Sequence, residues 1–274
     1  MRVPSWAIMT SPVLTERFLP EDLTRDAFLG GRVQALQPRR GYRAAMDPVL
    51  LAAAIPARAG DRVLELGCGA GVASLCLAAR VPGLHICGVE RQPAYADLAR
   101  RNAAENATPL EVWEADLTCL PLPLRAVGFD HVIANPPYYS PGAGTAADDP
   151  GREAALREET ALATWADVAL RRLRPMGWVT FIQAADRLPG LLTALEGRAG
   201  AVTVLPISPR EGRPARRVLV QARKGARSPF TLMAPLILHD GPQHQEDGES
   251  HTAQARAILR NAAALPMGAQ AKIR

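Results

Sequence analysis

The spacing of apolar and polar positions changes repeatedly along the chain, and each change marks an element. Asp47-Pro48 offers an N-cap and a first-turn proline to the apolar run Val49-Leu50-Leu51-Ala52-Ala53-Ala54-Ile55, a helix that Pro56 and Gly60 end. Short apolar runs and helical periods then alternate. Strands are expected over 62–66, 84–89, 110–114, 129–134 and 178–183, with helices over 71–80, 93–104, 158–173 and 187–196. Strands over 201–205 and 216–222 follow without room for a helix between them, so they should pair antiparallel. Strand–helix alternation of this kind implies an α/β fold, a mostly parallel sheet covered on both faces.

The flanks are less patterned. Residues 1–45 read as a polar arm broken by Pro12, Pro20 and Gly30-Gly31. After Arg227 comes an apolar run over 232–238, then a last helix to Ala264 with Ser250 as its cap. The expected division is an arm over 1–45, a main α/β domain over 46–227 and an extension over 228–274 packing on that domain. No repeat is visible.

Composition narrows the class. With 48% hydrophobic residues among 274, the chain has enough apolar surface for a folded core. Cys68, Cys76, Cys87 and Cys119 form no CxxC pair, which argues against a zinc site or a disulfide framework, and no metal is expected. No apolar stretch reaches the roughly 18 residues of a membrane span. The first residues carry no signal-peptide pattern, so a cytoplasmic protein is expected, with a monomer favoured. The net charge of +5 is a weak pointer to an anionic partner.

Chemistry first shows after the 62–66 strand, in Glu65-Leu66-Gly67-Cys68-Gly69-Ala70-Gly71. Glycines permit a sharp turn and a close ligand approach. The following strand leads to Glu90, 23 residues after Gly67, where a carboxylate can accept from two ribose hydroxyls. Glu65 beside the loop disfavours a pyrophosphate and suits a cation. A nucleoside with a sulfonium and an α-amino acid tail satisfies both acids, and that ligand is S-adenosyl-L-methionine. Asp116 follows the third strand. It can accept from the adenine amine of the cofactor or, more simply, cap a helix. Arg91 and Leu117 are expected beside these two acids in the same site.

Asn135-Pro136-Pro137-Tyr138 closes the fourth strand at the carboxyl edge, where open α/β sheets bind ligands. The Asn135 side-chain oxygen and the Pro136 carbonyl are two acceptors for the two hydrogens of a planar –NH2 group. Such a grip localises the nitrogen lone pair, and transfer then needs mainly positioning. Tyr138 can stack on a flat base. The plain alternative is a strand-ending turn with a core tyrosine.

These motifs closely resemble class I S-adenosylmethionine-dependent methyltransferases of the Asn-Pro-Pro-Tyr type. With Gly41-Tyr42-Arg43, Asp47-Pro48-Val49-Leu50-Leu51, Tyr139 and Arg216-Arg217-Val218-Leu219-Val220, they resemble the tRNA1(Val) adenine-37 N6-methyltransferase family. The resemblance implies a Rossmann-like, seven-stranded sheet with the last strand antiparallel. It implies that Glu65, Gly67, Cys68, Gly69 and Gly71 cradle the methionine end, Glu90 takes the ribose and Asp116 the adenine. Asn135 through Tyr138 would hold the target amine. Met46 departs from the family's usual threonine before Asp47, so a hydroxyl contact there is lost.

Basic residues cluster at the last hairpin. Arg210, Arg213, Arg216, Arg217, Arg223, Lys224 and Arg227 stand against one acid, Glu211. The first four are the expected phosphate contacts, and Arg39, Arg40 and Arg43 form a second group in the arm. The loop over 140–152 follows Tyr138 and is placed to gate the site, while its Asp148 and Asp149 argue against phosphate contact there. The expected function is N6-methylation of adenine in RNA, with tRNA as the expected RNA. The alternatives are a protein glutamine N5-methyltransferase, a ribosomal-RNA guanine-N2 methyltransferase and a non-catalytic RNA-binding module.

Overall fold

Two strands occupy the segment whose pattern suggested only an arm. The computed structural model describes residues 17–137, 160–241 and 250–267. In it β1 (Leu23–Phe28) pairs antiparallel with β2 (Val33–Pro38), in a register that sets Phe28 opposite Val33. Gly30-Gly31, read as a breaker, is the hairpin turn, and both glycines have positive φ. A β-carbon on Gly30 would lie 2.8 Å from the Arg260 carbonyl oxygen, so the backbones meet there. The hairpin has little signature in the sequence because β1 alternates weakly, burying only Leu23 while Thr24, Arg25 and Asp26 hold its middle.

The main sheet follows the alternation closely. Helix α1 (Asp47–Ala54) leads to β3 (Arg62–Leu66), α2 (Val72–Arg80), β4 (His85–Glu90), α3 (Pro93–Glu105), β5 (Leu110–Glu114), the short α4 (Leu122–Ala126) and β6 (Phe129–Ala134). Then come α5 (Leu162–Arg172), β7 (Leu173–Ala184), α6 (Leu188–Leu195), β8 (Ala199–Ser208) and β9 (Arg217–Lys224). The strand order is β5-β4-β3-β6-β7-β9-β8. Strand β9 alone runs antiparallel, between β7 and β8. Two short strands, β10 (Thr231–Leu232) and β11 (Leu236–Ile237), extend the sheet by pairing parallel with β8. They come from the apolar run over 232–238. The sheet therefore has nine strands, seven of which match the expected frame.

Period-two side chains divide the core. Val63, Ile133 and Ile182 point to the layer holding α1, α2 and the arm hairpin, while Leu64, Val132 and Phe181 point to the layer with α5 and α6. Helix α7 (Ala253–Asn261) adds Ala255 and Ile258 to the first layer. Its cap is Thr252, whose hydroxyl oxygen accepts from the Ala255 N–H at 3.1 Å, and not Ser250, which pairs with His239 instead. Asp47 is likewise the first residue of α1 rather than its cap, because its carboxylate accepts from Arg217 Nε at 2.7 Å.

Candidate active site

Register lines up the strand ends that build the site. Leu66 is level with Val89 and with Ala134, and Glu90 is level with Glu114. The residues that follow therefore leave the sheet along one carboxyl edge. Glu65, Gly67, Cys68, Gly69, Glu90, Arg91, Asp116, Leu117, Asn135 and Pro137 all line one cavity there. Gly71 turns the loop into α2 as that helix's N-cap. Tyr138 lies outside the described residues, as do Tyr139 and the loop over 140–152.

The glycine loop needs its glycines. Gly67, Gly69 and Gly71 all have positive φ. A β-carbon on Gly67 would come within 2.6 Å of the Trp165 ring, which forms part of the cavity wall. Cys68 contributes mainly backbone: its N–H donates to the Val89 carbonyl at 2.9 Å and its thiol is buried. Burial pushes that thiol's pKa up and leaves it unreactive.

The two acids are buried and held differently. Glu90 accepts from the Gly69 N–H and the Gln92 N–H, each at 2.9 Å, so it clamps the loop it faces. Each of its oxygens keeps lone-pair capacity for a hydroxyl. Glu65 accepts from the Ser74 N–H at 3.0 Å and from the Ser74 hydroxyl. Burial pushes its carboxyl up to about 8. Asp116 does cap the turn after β5: Oδ1 accepts from the Thr118 N–H at 2.8 Å and from its hydroxyl at 2.6 Å. The Thr118 hydroxyl bond holds its pKa below the usual range.

A side-chain-free cradle, an acid at the second strand end and a buried acid beside the loop together fit S-adenosylmethionine. The first accommodates close backbone approach, the second a ribose, the third an amino group.

Beyond β6 the wall changes character. Asn135 Nδ2 donates to the Tyr42 hydroxyl at 3.3 Å. Gln183, fully buried at the end of β7, directs Nε2 at the Pro136 and Pro137 carbonyls, each at 3.4 Å. Neither contact has a local sequence signal, since the partners lie 93 and about 47 residues apart. Gly41-Tyr42-Arg43 carries a signal only through the family resemblance.

The basic cluster does not stay together. Arg217 pairs with Ala184 at the carboxyl edge, whereas Arg223 pairs with Trp178 at the opposite one, and β9 carries the chain between them. Arg223 donates to the Met176 carbonyl and lies over the Trp178 ring, and Lys224 donates to the Leu173 carbonyl. Of the four expected phosphate contacts, Arg217 is bound to Asp47, and Arg210 donates to the carbonyls of Asp240 and Gly241. Arg213 and Arg216 are exposed on the β8–β9 loop. Antiparallel pairing explains the split, because it sends the two ends of one basic stretch to opposite edges. In the arm, Arg39 and Arg40 are exposed, while Arg43 is tied to Asp26.

Among the described residues no group of histidine, cysteine and acidic side chains could hold a metal ion, and no helix is long and apolar enough to cross a membrane.

Known proteins resemble this chain in sequence and fold. Residues 46–149 match the methyltransferase small domain. A tRNA1(Val) (adenine(37)-N6)-methyltransferase from Dickeya chrysanthemi is 29% identical over 81% of this chain and 88% of its own. One of the same name from Aeromonas hydrophila is 32% identical over 68% of this chain and 79% of its own. Among solved structures, a predicted O-methyltransferase from Agrobacterium tumefaciens is 29% identical with a TM-score of 0.65, covering 81% of this chain and all of its own. A T. thermophilus 16S rRNA N2 methyltransferase, solved with AdoMet and guanosine, shares the fold at 20% identity and a TM-score of 0.51, over 74% of this chain and 50% of its own. The chain is an S-adenosylmethionine-dependent methyltransferase and belongs to the tRNA1(Val) (adenine(37)-N6)-methyltransferase family.

Proposed function

We propose that the protein methylates N6 of adenine in tRNA, with adenine 37 of tRNA1(Val) as the target for which its relatives are named. The observation that carries this reading is Asn135, which lines the cofactor cavity at the end of β6 with its Nδ2 engaged by Tyr42. Its Oδ1 is then the end that accepts from an amine. Pro136 is buried behind Asn135 and Pro137, which line the cavity; its carbonyl has two lone pairs, and the one not taken by Gln183 is the acceptor proposed for the amine's second hydrogen.

When bound, S-adenosylmethionine supplies a methyl group on a positively charged sulfur. Glu90 and the glycine loop fix the cofactor's place along the edge. Asn135 and Pro136 draw the amine's hydrogens aside and aim its lone pair. No histidine or lysine lines the cavity among the described residues. An amine can lose its proton after transfer, so the grip of Asn135 and Pro136 needs no separate base and suits a nitrogen nucleophile.

The RNA reading rests on Arg213 and Arg216. The Arg216 carbonyl accepts from the Ala185 N–H at 3.0 Å, and Ala185 follows β7 two residues after Gln183. That places the loop beside the Asn-Pro-Pro segment, where phosphates flanking an extruded base would pass. Cytoplasmic tRNA is the substrate pool this implies.

Labelled methyl transfer to tRNA, ribosomal RNA and protein fractions tests the proposal. N6-methyladenosine in the tRNA pool is expected. Label in protein glutamine, or in guanosine of ribosomal RNA, would replace it with one of the other two activities.

A further inference from the structure

The arm delivers one side chain to the reaction centre. Tyr42 is in the cavity wall, its ring edge 3.6 Å from where a β-carbon on Gly69 would stand. Its backbone is fixed from both sides. Tyr95 Oη donates to the Tyr42 carbonyl at 3.1 Å. Gln37, on β2, accepts from the Ala44 N–H at 2.6 Å and donates to the Ala44 carbonyl at 3.0 Å. Arg43 donates to Thr24, Asp26 and the Pro38 carbonyl, so β1 and β2 both hold the segment. Asn102 of α3 in turn accepts from the Leu36 N–H at 2.8 Å and donates to the Ala70 carbonyl at 2.9 Å, tying β2 to the glycine loop.

We propose that Tyr42 is a positioning residue for Asn135, its phenol oxygen holding the amide Nδ2 so that Oδ1 faces the target amine. This rests on the reading of Asn135 as the amine's acceptor. A free side-chain amide can present either end to a ligand, and the two ends have opposite hydrogen-bonding character. The bond to the Tyr42 oxygen limits rotation of the amide, and with Nδ2 turned to Tyr42 the end left for a ligand is Oδ1. Burial, followed by the charge of Asp47, holds the phenol's pKa above its usual value, so it stays a neutral hydroxyl and is no proton acceptor. The arm is therefore part of the substrate site, although it sits before the first strand of the main sheet.

Tyr42→Phe keeps the ring and removes only the oxygen. At saturating tRNA and cofactor, kcat should fall about tenfold, with cofactor Kd, tRNA KM and melting temperature close to wild type. A merely structural tyrosine would instead move Kd, KM or the melting temperature, and that pattern, or an unchanged kcat, overturns the proposal. A second readout needs no substrate. The Asn135 side-chain amide protons, assigned by their loss in Asn135→Ala, should exchange with solvent more slowly in wild type than in Tyr42→Phe. Equal exchange overturns the positioning role even if the RNA substrate proves to be wrong. Failure of wild type to label tRNA, with the exchange difference present, removes the substrate reading and leaves the Tyr42–Asn135 contact standing.

Discussion

The two halves of the carboxyl edge are built in opposite ways. On the β3–β4–β5 side, one continuous loop and the acids at two strand ends line the cavity proposed to cradle the cofactor. Its contacts are mostly backbone, as in Glu90 holding the Gly69 and Gln92 N–H groups. On the β6–β7–β9 side, side chains from distant segments converge: Tyr42 on Asn135, Gln183 on the two prolyl carbonyls, Asp47 on Arg217. The first half is specified by local conformation and the second by tertiary packing. Substitutions should therefore separate them, with the cradle failing in cofactor binding and the far side failing in turnover or substrate binding.

The largest separation is expected at Asn135. Asn135→Ala should lower kcat at least about a hundredfold, as losses of preorganised transition-state contacts do, while cofactor Kd measured by calorimetry stays near wild type. Normal turnover would remove Asn135 from the mechanism. Gly67→Ala is the converse. Its β-carbon meets the Trp165 ring at 2.6 Å and its φ is +63°, so a loss of roughly 1–3 kcal/mol in stability is expected together with weakened cofactor binding. Thermal unfolding with and without cofactor reads both.

Glu65 sharpens the comparison through pH. Its carboxyl is raised from 4.5 to about 8 by burial. The folded protein then keeps a proton that the unfolded chain loses. Stability from this group is complete below pH 4.5 and is lost as pH rises through about 8. A cationic cofactor end expels that proton, so affinity should rise with pH below about 8, at most about tenfold per unit. Calorimetry in buffers of different ionisation heat should show proton release at mildly acidic pH, and Glu65→Gln should abolish it. Release unchanged in that variant would place the titrating group elsewhere.

Smaller effects belong to the arginines. Arg213→Glu with Arg216→Glu should weaken tRNA binding and reduce the slope of log affinity against log salt by about 2, leaving cofactor Kd alone. Arg217→Ala should instead cost roughly 1 kcal/mol of stability, a modest figure because that guanidinium is more than a third exposed. A salt-slope change from Arg217→Ala as large as that from the double variant would undo the distinction.

The same contrast explains what could be read from the chain alone. Strands β3 to β6, the glycine loop, Glu90 and the antiparallel β9 follow from local period and spacing. The arm hairpin did not, because its strands are short, β1 buries only Leu23, and its turn glycines look like a break. Tyr42 and Gln183 gave no chemical signal, since each acts through a partner far along the chain. The basic run divides for the opposite reason. Proximity in sequence suggested one patch, and a crossing strand carried half of it to the far edge. Asp47 and Ser250 were natural caps whose side chains found Arg217 and His239 instead.

The central claim is that Asn135 presents an adenine amine to the cofactor. Its most direct test is nucleoside mass spectrometry on an unmodified tRNA1(Val) transcript and on the same transcript with guanine at position 37. The account predicts N6-methyladenosine in the first with wild-type protein, none in the second, and none in either with Asn135→Ala. Methylation of the guanine-37 transcript, or N6-methyladenosine formed at the wild-type rate by Asn135→Ala, would contradict it.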